Sequence, residues 1–170
     1  FNLNRSVQEI ELLTERTMPV PKPLYDSTTE AELLAAAGLA PLNSECVVSA
    51  RTESGITALM AIDKAQLADL KAKYGEELCF TTPLLTAPNV TEPTVWVVEC
   101  GDLIYIKVYS LALQLAEVVR IASEEELELL LHRLTSAADL SRHTLRVTQR
   151  TQNKQRRKIY RNYFKQVVCE

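Results

Sequence analysis

The order of β-prone and helical segments after residue 92 constrains the fold more than any other feature of this 170-residue sequence. Three β-prone runs come first, at residues 95–99, 103–109 and 111–121, and short turns separate them. A helix follows, with Ser123 and Glu126 as its capping box. Four leucines mark one face of that helix: Leu127, Leu130, Leu131 and Leu134. This stretch therefore predicts a three-stranded meander followed by an amphipathic helix.

The residues that remain extend the meander. Residues 143–148 predict a strand, residues 153–166 an amphipathic helix, and residues 167–169 a last strand. The whole order is strand, strand, strand, helix, strand, helix, strand. This is the ribonuclease-H-like topology, in which parallel strands joined through helical crossovers extend an antiparallel meander. Because many unrelated functions share this topology, it predicts architecture and not activity.

The first part of the chain opens with a β-prone run at residues 7–16. We expect the prolines that follow, Pro19, Pro21 and Pro23, to end any ladder because proline has no N–H to donate. Thr29, with a glutamate three residues later, predicts a capping box for a short helix. Gly38 stands where a left-handed residue ends such a helix.

A hairpin and a second helix come next. Residues 46–51 and 56–62 are β-prone and flank a short glycine-containing loop, which predicts an antiparallel pair. Asp63 caps a helix that Gly75 ends, and residues 78–85 predict a further strand.

A polar, proline-bounded run at residues 87–93 is the best linker candidate. It predicts a boundary between two lobes, residues 1–91 and residues 92–170.

The run Val20-Pro21-Lys22-Pro23-Leu24-Tyr25-Asp26, followed by a helix with Leu33 and Leu34, resembles a segment of the bacterial domain-of-unknown-function family number 3822. The resemblance continues through the hairpin, the helix after Asp63, the segment Thr82-Pro83-Leu84-Leu85 and the meander.

The resemblance implies a fold like that of actin-like ATPases, whose two ribonuclease-H-like lobes face each other across a nucleotide cleft. Members of the family carry a strand meander ahead of the point where Phe1 begins, so the resemblance also implies an incomplete N-terminal lobe. The expected fold class is therefore α/β with mixed sheets, in two ribonuclease-H-like lobes of actin-like type.

The same resemblance implies a place where phosphates would bind. Actin-like ATPases hold phosphates with two hairpin turns that carry an Asp, a Gly and small hydroxyl residues, because backbone N–H groups and a metal must come close. Here the candidate residues are Glu99, Gly101 and Asp102, but no Ser or Thr follows them and the next two residues are apolar. They fit an ordinary acidic hairpin turn equally well. We expect no cofactor, with ATP and magnesium as the alternative.

Sequence motifs of catalysis are missing from the chain. It contains no G-x-x-x-x-G-K, G-x-G-x-x-G, G-x-S-x-G or H-E-x-x-H, and its four glycines form no glycine-rich loop. His132 and His143 have no Cys or carboxylate at ligand spacing, and the four cysteines form no C-x-x-C pair. We therefore expect no catalytic residues and no metal site, which favours a protein that is not an enzyme.

The charge distribution is the strongest anomaly. Residues 142–165 contain nine Lys or Arg and no acidic residue, whereas residues 1–141 hold ten basic residues against 21 acidic ones. Four basic residues recur at helical spacing and predict one stripe opposite the apolar side chains: Lys154, Arg157, Arg161 and Lys165. Arg156 and Lys158 are further candidate phosphate contacts. The stripe is either a solvated helix face or a docking surface for nucleic acid or an acidic protein.

Three functions stay open. The first is a non-catalytic actin-like or ribonuclease-H-like scaffold module that binds another macromolecule, protein or nucleic acid. The alternatives are an ATP-binding actin-like protein with a degenerate phosphate loop, and a nucleic-acid-binding protein that uses residues 142–165. No apolar run approaches the ~20 residues that cross a bilayer, and no signal peptide opens the sequence, so we expect a cytoplasmic protein without a membrane partner.

Overall fold

The computed structural model describes residues 8–53, 55–86, 91–150 and 153–170. The chain forms two compact units, Phe1–Thr86 and Ala87–Glu170. The described part of the first unit contains these elements: β1 (Gln8–Glu11), β2 (Thr17–Pro21), α1 (Glu30–Ala36), β3 (Glu45–Ser49), β4 (Ile56–Asp63), α2 (Lys64–Tyr74) and β5 (Leu78–Thr81). The second contains these: β6 (Thr94–Cys100), β7 (Leu103–Tyr109), β8 (Leu113–Arg120), α3 (Glu124–Ala137), β9 (Thr144–Gln149), α4 (Lys154–Tyr163) and β10 (Val167–Cys169).

Strand β4 organises the first unit because both of its faces are buried. It lies between β2 and β3 and pairs antiparallel with each, so the predicted hairpin of β3 and β4 is confirmed. Met60 belongs to a cluster against which Leu67 of α2 packs. Leu59, on the opposite face, packs with Leu34 of α1. A strand between two apolar layers needs an apolar side chain at consecutive positions, which explains its nearly continuous apolar run.

The other two strands of this unit, β1 and β5, pair in parallel. Ala50, directly after β3, forms a parallel bridge with Phe80 of β5, and the N–H of Arg51 donates to the Phe80 carbonyl at 2.9 Å. The three-stranded and two-stranded sheets therefore meet at Ala50 and Phe80.

The strand expected over residues 7–16 is present but shorter, because β1 ends at Glu11, and residue 7 lies outside the described residues. The expectation that the prolines end a ladder is wrong, since β2 runs through both Pro19 and Pro21. Strand β2 is an edge strand that pairs with β4 alone. The N–H of Lys22 donates to the Gly55 carbonyl at 2.8 Å, so every second residue bonds to β4 and the prolines, at the alternate positions, turn their nitrogens away.

Helix α1 ends as predicted but begins differently. Gly38 has φ +76°, and the N–H of Leu39 donates to the Leu34 carbonyl at 3.0 Å, which is the closing bond of a left-handed C-terminal cap. The predicted capping box is wrong, because the Thr29 side chain caps no helix N–H. Its hydroxyl instead lies 3.4 Å from the carbonyl of Asp26, to which it donates.

The second helix follows the prediction. The carboxylate of Asp63 accepts hydrogen bonds from the N–H groups of Ala65 and Gln66, and Gly75 ends the helix with φ +97°. Strand β5 is shorter than the predicted strand over residues 78–85. The chain turns after Thr81, where the N–H of Leu85 donates to the Thr82 carbonyl at 3.0 Å. Of the predicted linker, residues 87–90 lie outside the described residues.

The second unit is built on a five-stranded sheet in the order β10-β9-β6-β7-β8. Strands β6, β7 and β8 pair antiparallel, whereas β9 pairs in parallel with both β6 and β10. An antiparallel meander extended by two parallel strands is the arrangement that the order of elements in the sequence predicts.

Helices α3 and α4 supply the core of this sheet. All four predicted leucines of α3 are buried against strand residues such as Val97 and Ile106. Ser123 accepts from the N–H of Glu126, whose carboxylate reaches back to the N–H of Ala122 at 2.6 Å, so the predicted cap is confirmed. Helix α4 ends at Tyr163 and not at residue 166 as predicted, because Phe164 has extended backbone leading into β10.

Within the described ranges, no helix combines the length and the apolar character that a membrane span requires.

The burial of Phe164 provides a test of this core. Its side chain is 4% exposed and packs with Ile159 and Tyr160. We expect Phe164→Ala to lower the free energy of unfolding by about 3–5 kcal/mol, because the change removes a large buried side chain and leaves a cavity. Chemical denaturation measures this change. Leu129→Ala on α3 is the control, since that side chain is 69% exposed and should cost little. Equal losses in the two variants would contradict the packing of α4 on the sheet.

Candidate functional site

The turn between β6 and β7 brings the candidate phosphate residues together. The register pairs Cys100 with Leu103, which makes Gly101 and Asp102 a two-residue turn. Gly101 has φ +67°, a left-handed conformation that glycine adopts without strain. The carboxylate of Asp102 pairs with the guanidinium of Arg120 at the end of β8. The turn is therefore held by its own strand neighbours.

Glu99, directly before this turn, is 2% exposed. The Tyr160 hydroxyl donates to Oε1 at 2.5 Å, and Nε2 of Gln149 donates to Oε2 at 2.7 Å. Nη1 of Arg156 lies 3.8 Å from Oε1. A buried carboxylate is destabilising unless it is hydrogen-bonded and paired with a positive charge. We call these four side chains, Glu99, Gln149, Arg156 and Tyr160, the Glu99 network.

The network also holds the proton of Tyr160. Burial, and after it the negative charge of Glu99, raises the pKa of Tyr160 well above its ordinary value. The hydroxyl thus stays protonated and remains a donor to the carboxylate.

Arg156 connects the network to the turn. Its side chain is 13% exposed, and its Nη1 donates to the Gly101 carbonyl at 3.2 Å. Arg156 lies in the first turn of α4, where the Asn153 side chain accepts from the N–H groups of Gln155 and Arg156. The beginning of α4 is therefore bound to the turn between β6 and β7.

Arg157 is tied to the same network from the other side. Its Nε donates to Oε1 of Gln149 at 2.9 Å, and Gln149 in turn donates to Glu99. Arg157 is half-buried as a result. The structure thus separates Arg157 from the exposed cations with which the sequence grouped it.

The exposed cations of α4 form a different set, which we call the α4 basic stripe: Lys154, Lys158, Arg161 and Lys165. The spacing of the first three, four and then three residues, places them along one face of the helix, and Lys165 lies two residues beyond the helix end. Within the described ranges, none of the four forms an ion pair. Lys158 takes the place that the sequence assigned to Arg157.

Sequence reasoning missed the Glu99 network although two signals for it were available. Glu99 is next to last in a strand whose other residues, apart from Thr94, are apolar, and a charge in such a strand needs partners. Tyr160 lies on the apolar side of the predicted helix over residues 153–166, and a buried tyrosine hydroxyl usually finds an acceptor. Gln149 carried no signal, because its role depends on β9 lying beside β6.

Other candidate sites are weak. In the part of the chain that the structure describes, no three His, Cys, Asp or Glu side chains gather as metal ligands. Ile121, Leu129 and Leu130 line an open apolar groove, but the charged side chains at its rim already form contacts within the unit. Arg133, for example, pairs with Glu117 at 2.7 Å.

The tyrosine in the Glu99 network can be tested with a matched pair of variants. Tyr160→Phe removes a hydrogen bond to a buried charge, so we expect a loss of about 1.5–3 kcal/mol in the free energy of unfolding. Tyr163→Phe is the control, because the half-buried Tyr163 makes no hydrogen bond with any described residue and should lose under about 0.5 kcal/mol.

The loss of stability in Tyr160→Phe should depend on pH in a defined direction. Because the pKa of Tyr160 is raised in the folded state, its stabilising effect is complete below about pH 10 and is lost as the pH rises further. The difference between wild type and Tyr160→Phe in chemical denaturation should be constant from pH 7 to about 9 and shrink above about pH 10. An equal loss in both variants at pH 7 would contradict the network.

Comparison with known proteins supplies the fold. The chain matches no family model and no curated protein. It is similar to the solved structure of a protein with an actin-like ATPase fold and unknown function from Bacteroides thetaiotaomicron, with a TM-score of 0.79 and 18% sequence identity, over 95% of this chain and 67% of that chain. It also aligns with the cytoplasmic domain of EpsL, an inner membrane component of the type II secretion system of Vibrio cholerae, with a TM-score of 0.41 and 12% identity, over 81% of this chain and 58% of that one.

Membership of the domain-of-unknown-function family number 3822 stays a prediction, since no family model matches. The mixed α/β architecture and the first of these similarities agree on one conclusion: the chain has an actin-like ATPase fold.

Proposed function

We propose that this chain is a non-catalytic binding module built on an actin-like ATPase fold, in which the turn after β6 does not receive phosphate. We also propose that residues 1–91 and 92–170 act as its N-terminal and C-terminal lobes. One observation carries the functional proposal: Glu99, Gly101 and Asp102 all take part in contacts within their own unit.

A phosphate turn needs groups that are free to meet its ligand. A magnesium ion in such a site takes carboxylate and water oxygens, and the phosphates take backbone N–H groups. Both carboxylate oxygens of Glu99 already accept hydrogen bonds, and the residue is buried. The carboxylate of Asp102 is paired with Arg120. These contacts support a turn that serves the fold and not a nucleotide.

Opening the turn for a ligand would be costly. Glu99 and Arg156 would have to separate, and breaking a buried charge pair costs about 3–5 kcal/mol. Since each 1.4 kcal/mol changes an affinity tenfold, this lowers any phosphate affinity by roughly 10²- to 4 × 10³-fold. The ATP-binding alternative has to overcome that penalty.

A thermal-shift titration with Mg-ATP tests the proposal. We expect no change in Tm at 1 mM Mg-ATP, because the carboxylates of Glu99 and Asp102 are already engaged within the unit. A site with a dissociation constant near 10 μM would be bound at about 100 times that constant and would add ~2.7 kcal/mol of stability.

Sodium triphosphate at equal ionic strength is the control for general anion effects. A rise in Tm with Mg-ATP that triphosphate does not reproduce would refute the non-catalytic module and favour the nucleotide-binding alternative.

A further inference from the structure

The stability of α4 does not account for its basic residues. Cations near a helix N-terminus oppose the helix dipole, and acidic residues there favour it. Helix α3 follows this rule with Glu124, Glu125 and Glu126 in its first turn. The first turn of α4 has no acidic residue and contains Lys154 and two arginines. The arginines serve the Glu99 network, whereas Lys154 has no ion pair with any described residue.

The surroundings of the α4 basic stripe are polar throughout. Its exposed neighbours are Gln155, Asn162 and Gln166, and no large apolar side chain of α4 is exposed. Protein–protein interfaces are centred on apolar and aromatic side chains and depleted in lysine. Contacts to nucleic-acid phosphates, in contrast, come from Lys, Arg, Asn and Gln. This face therefore fits a phosphate backbone better than an acidic protein.

The aromatic side chains of α4 indicate whether the stripe would bind single-stranded or double-stranded nucleic acid. Binding of a single strand depends on exposed rings on which bases stack. Tyr160 and Phe164 are buried and Tyr163 is half-buried, so α4 offers no exposed ring. Duplex binding through the backbone alone needs no such ring.

We propose that the α4 basic stripe binds the phosphate backbone of a double-stranded nucleic acid, without reading its sequence. The proposal rests on the proposed function as a binding module and names its partner. The three helical cations, from Lys154 to Arg161, extend over about 10 Å at 1.5 Å per residue, and Lys165 follows beyond the helix end. Duplex phosphates recur several times along such a length. The four cations of the stripe neutralise four phosphates.

The experiment measures fluorescence anisotropy of a labelled 24-base-pair duplex with the full chain from 50 to 200 mM NaCl. Four neutralised phosphates predict a log–log slope of about −3.6 on DNA, or a loss of affinity on the order of 100-fold over that range. Duplex DNA and duplex RNA are measured separately, because they share this backbone chemistry. Binding to either one with a slope of this size supports the proposal.

Matched variants assign the binding to the stripe. Lys158→Gln with Arg161→Gln should flatten the slope by about two units and weaken binding on the order of 100-fold at 50 mM salt. Lys64→Gln with Lys73→Gln, on α2, removes the same charge from two other exposed lysines and should change neither. Lys154→Gln should weaken binding, because it removes one cation of the stripe. It should also raise Tm, because it removes an unfavourable charge from the helix N-terminus.

The proposal would be overturned if no duplex bound at 50 mM salt, or if the two double variants lost equal amounts of duplex affinity. It would also be overturned if the single strands bound more tightly than the duplex, or if polyglutamate at equal charge displaced the duplex. The last result would identify an acidic protein as the partner. None of these results bears on Mg-ATP binding, so the failure of this proposal is distinguishable from failure of the non-catalytic module.

Discussion

The buried carboxylate of Glu99 is the constraint on which the second unit depends. An ionised carboxylate in a protein core needs hydrogen bonds on both oxygens and a nearby positive charge. The chain supplies them from β9 and α4, through Gln149, Tyr160 and Arg156. Meeting this need fixes the start of α4 against the turn between β6 and β7. It also directs the remaining cations of α4 outward, since the opposite face of the helix is buried.

Much of the fold follows from local chemistry. The leucine face of α3, the Asp63 cap and the left-handed Gly38 and Gly75 are determined by residues close in sequence, so the sequence predicted them. The errors arise where distant pairing decides. Pro19 is tolerated in β2 because that strand lies at a sheet edge, and α4 stops at Tyr163 because the next residues pair with β9. No local sequence pattern indicates whether a strand lies at the edge of its sheet.

The same distinction holds for the candidate site. Helical spacing alone grouped Arg157 with Lys154, Arg161 and Lys165, because periodicity reports the face of a helix and not its neighbours. Arg157 stands about 70° from the centre of the stripe, near enough to the sheet for Gln149 to accept its hydrogen bond. The function assigned to each basic residue therefore depends on which strand lies beside the helix. That placement is a feature of tertiary structure and not of local sequence.

A double-mutant cycle between Glu99 and Arg156 tests the central claim that a buried charge network binds α4 to the turn. The free energy of unfolding is measured by chemical denaturation for wild type, Glu99→Gln, Arg156→Gln and the double variant. Groups in one buried network show coupling energies of about 0.5–3 kcal/mol, and we expect a value above about 1 kcal/mol here because both side chains are largely desolvated. Effects that add within about 0.3 kcal/mol would show that the two charges act independently, and would contradict the account.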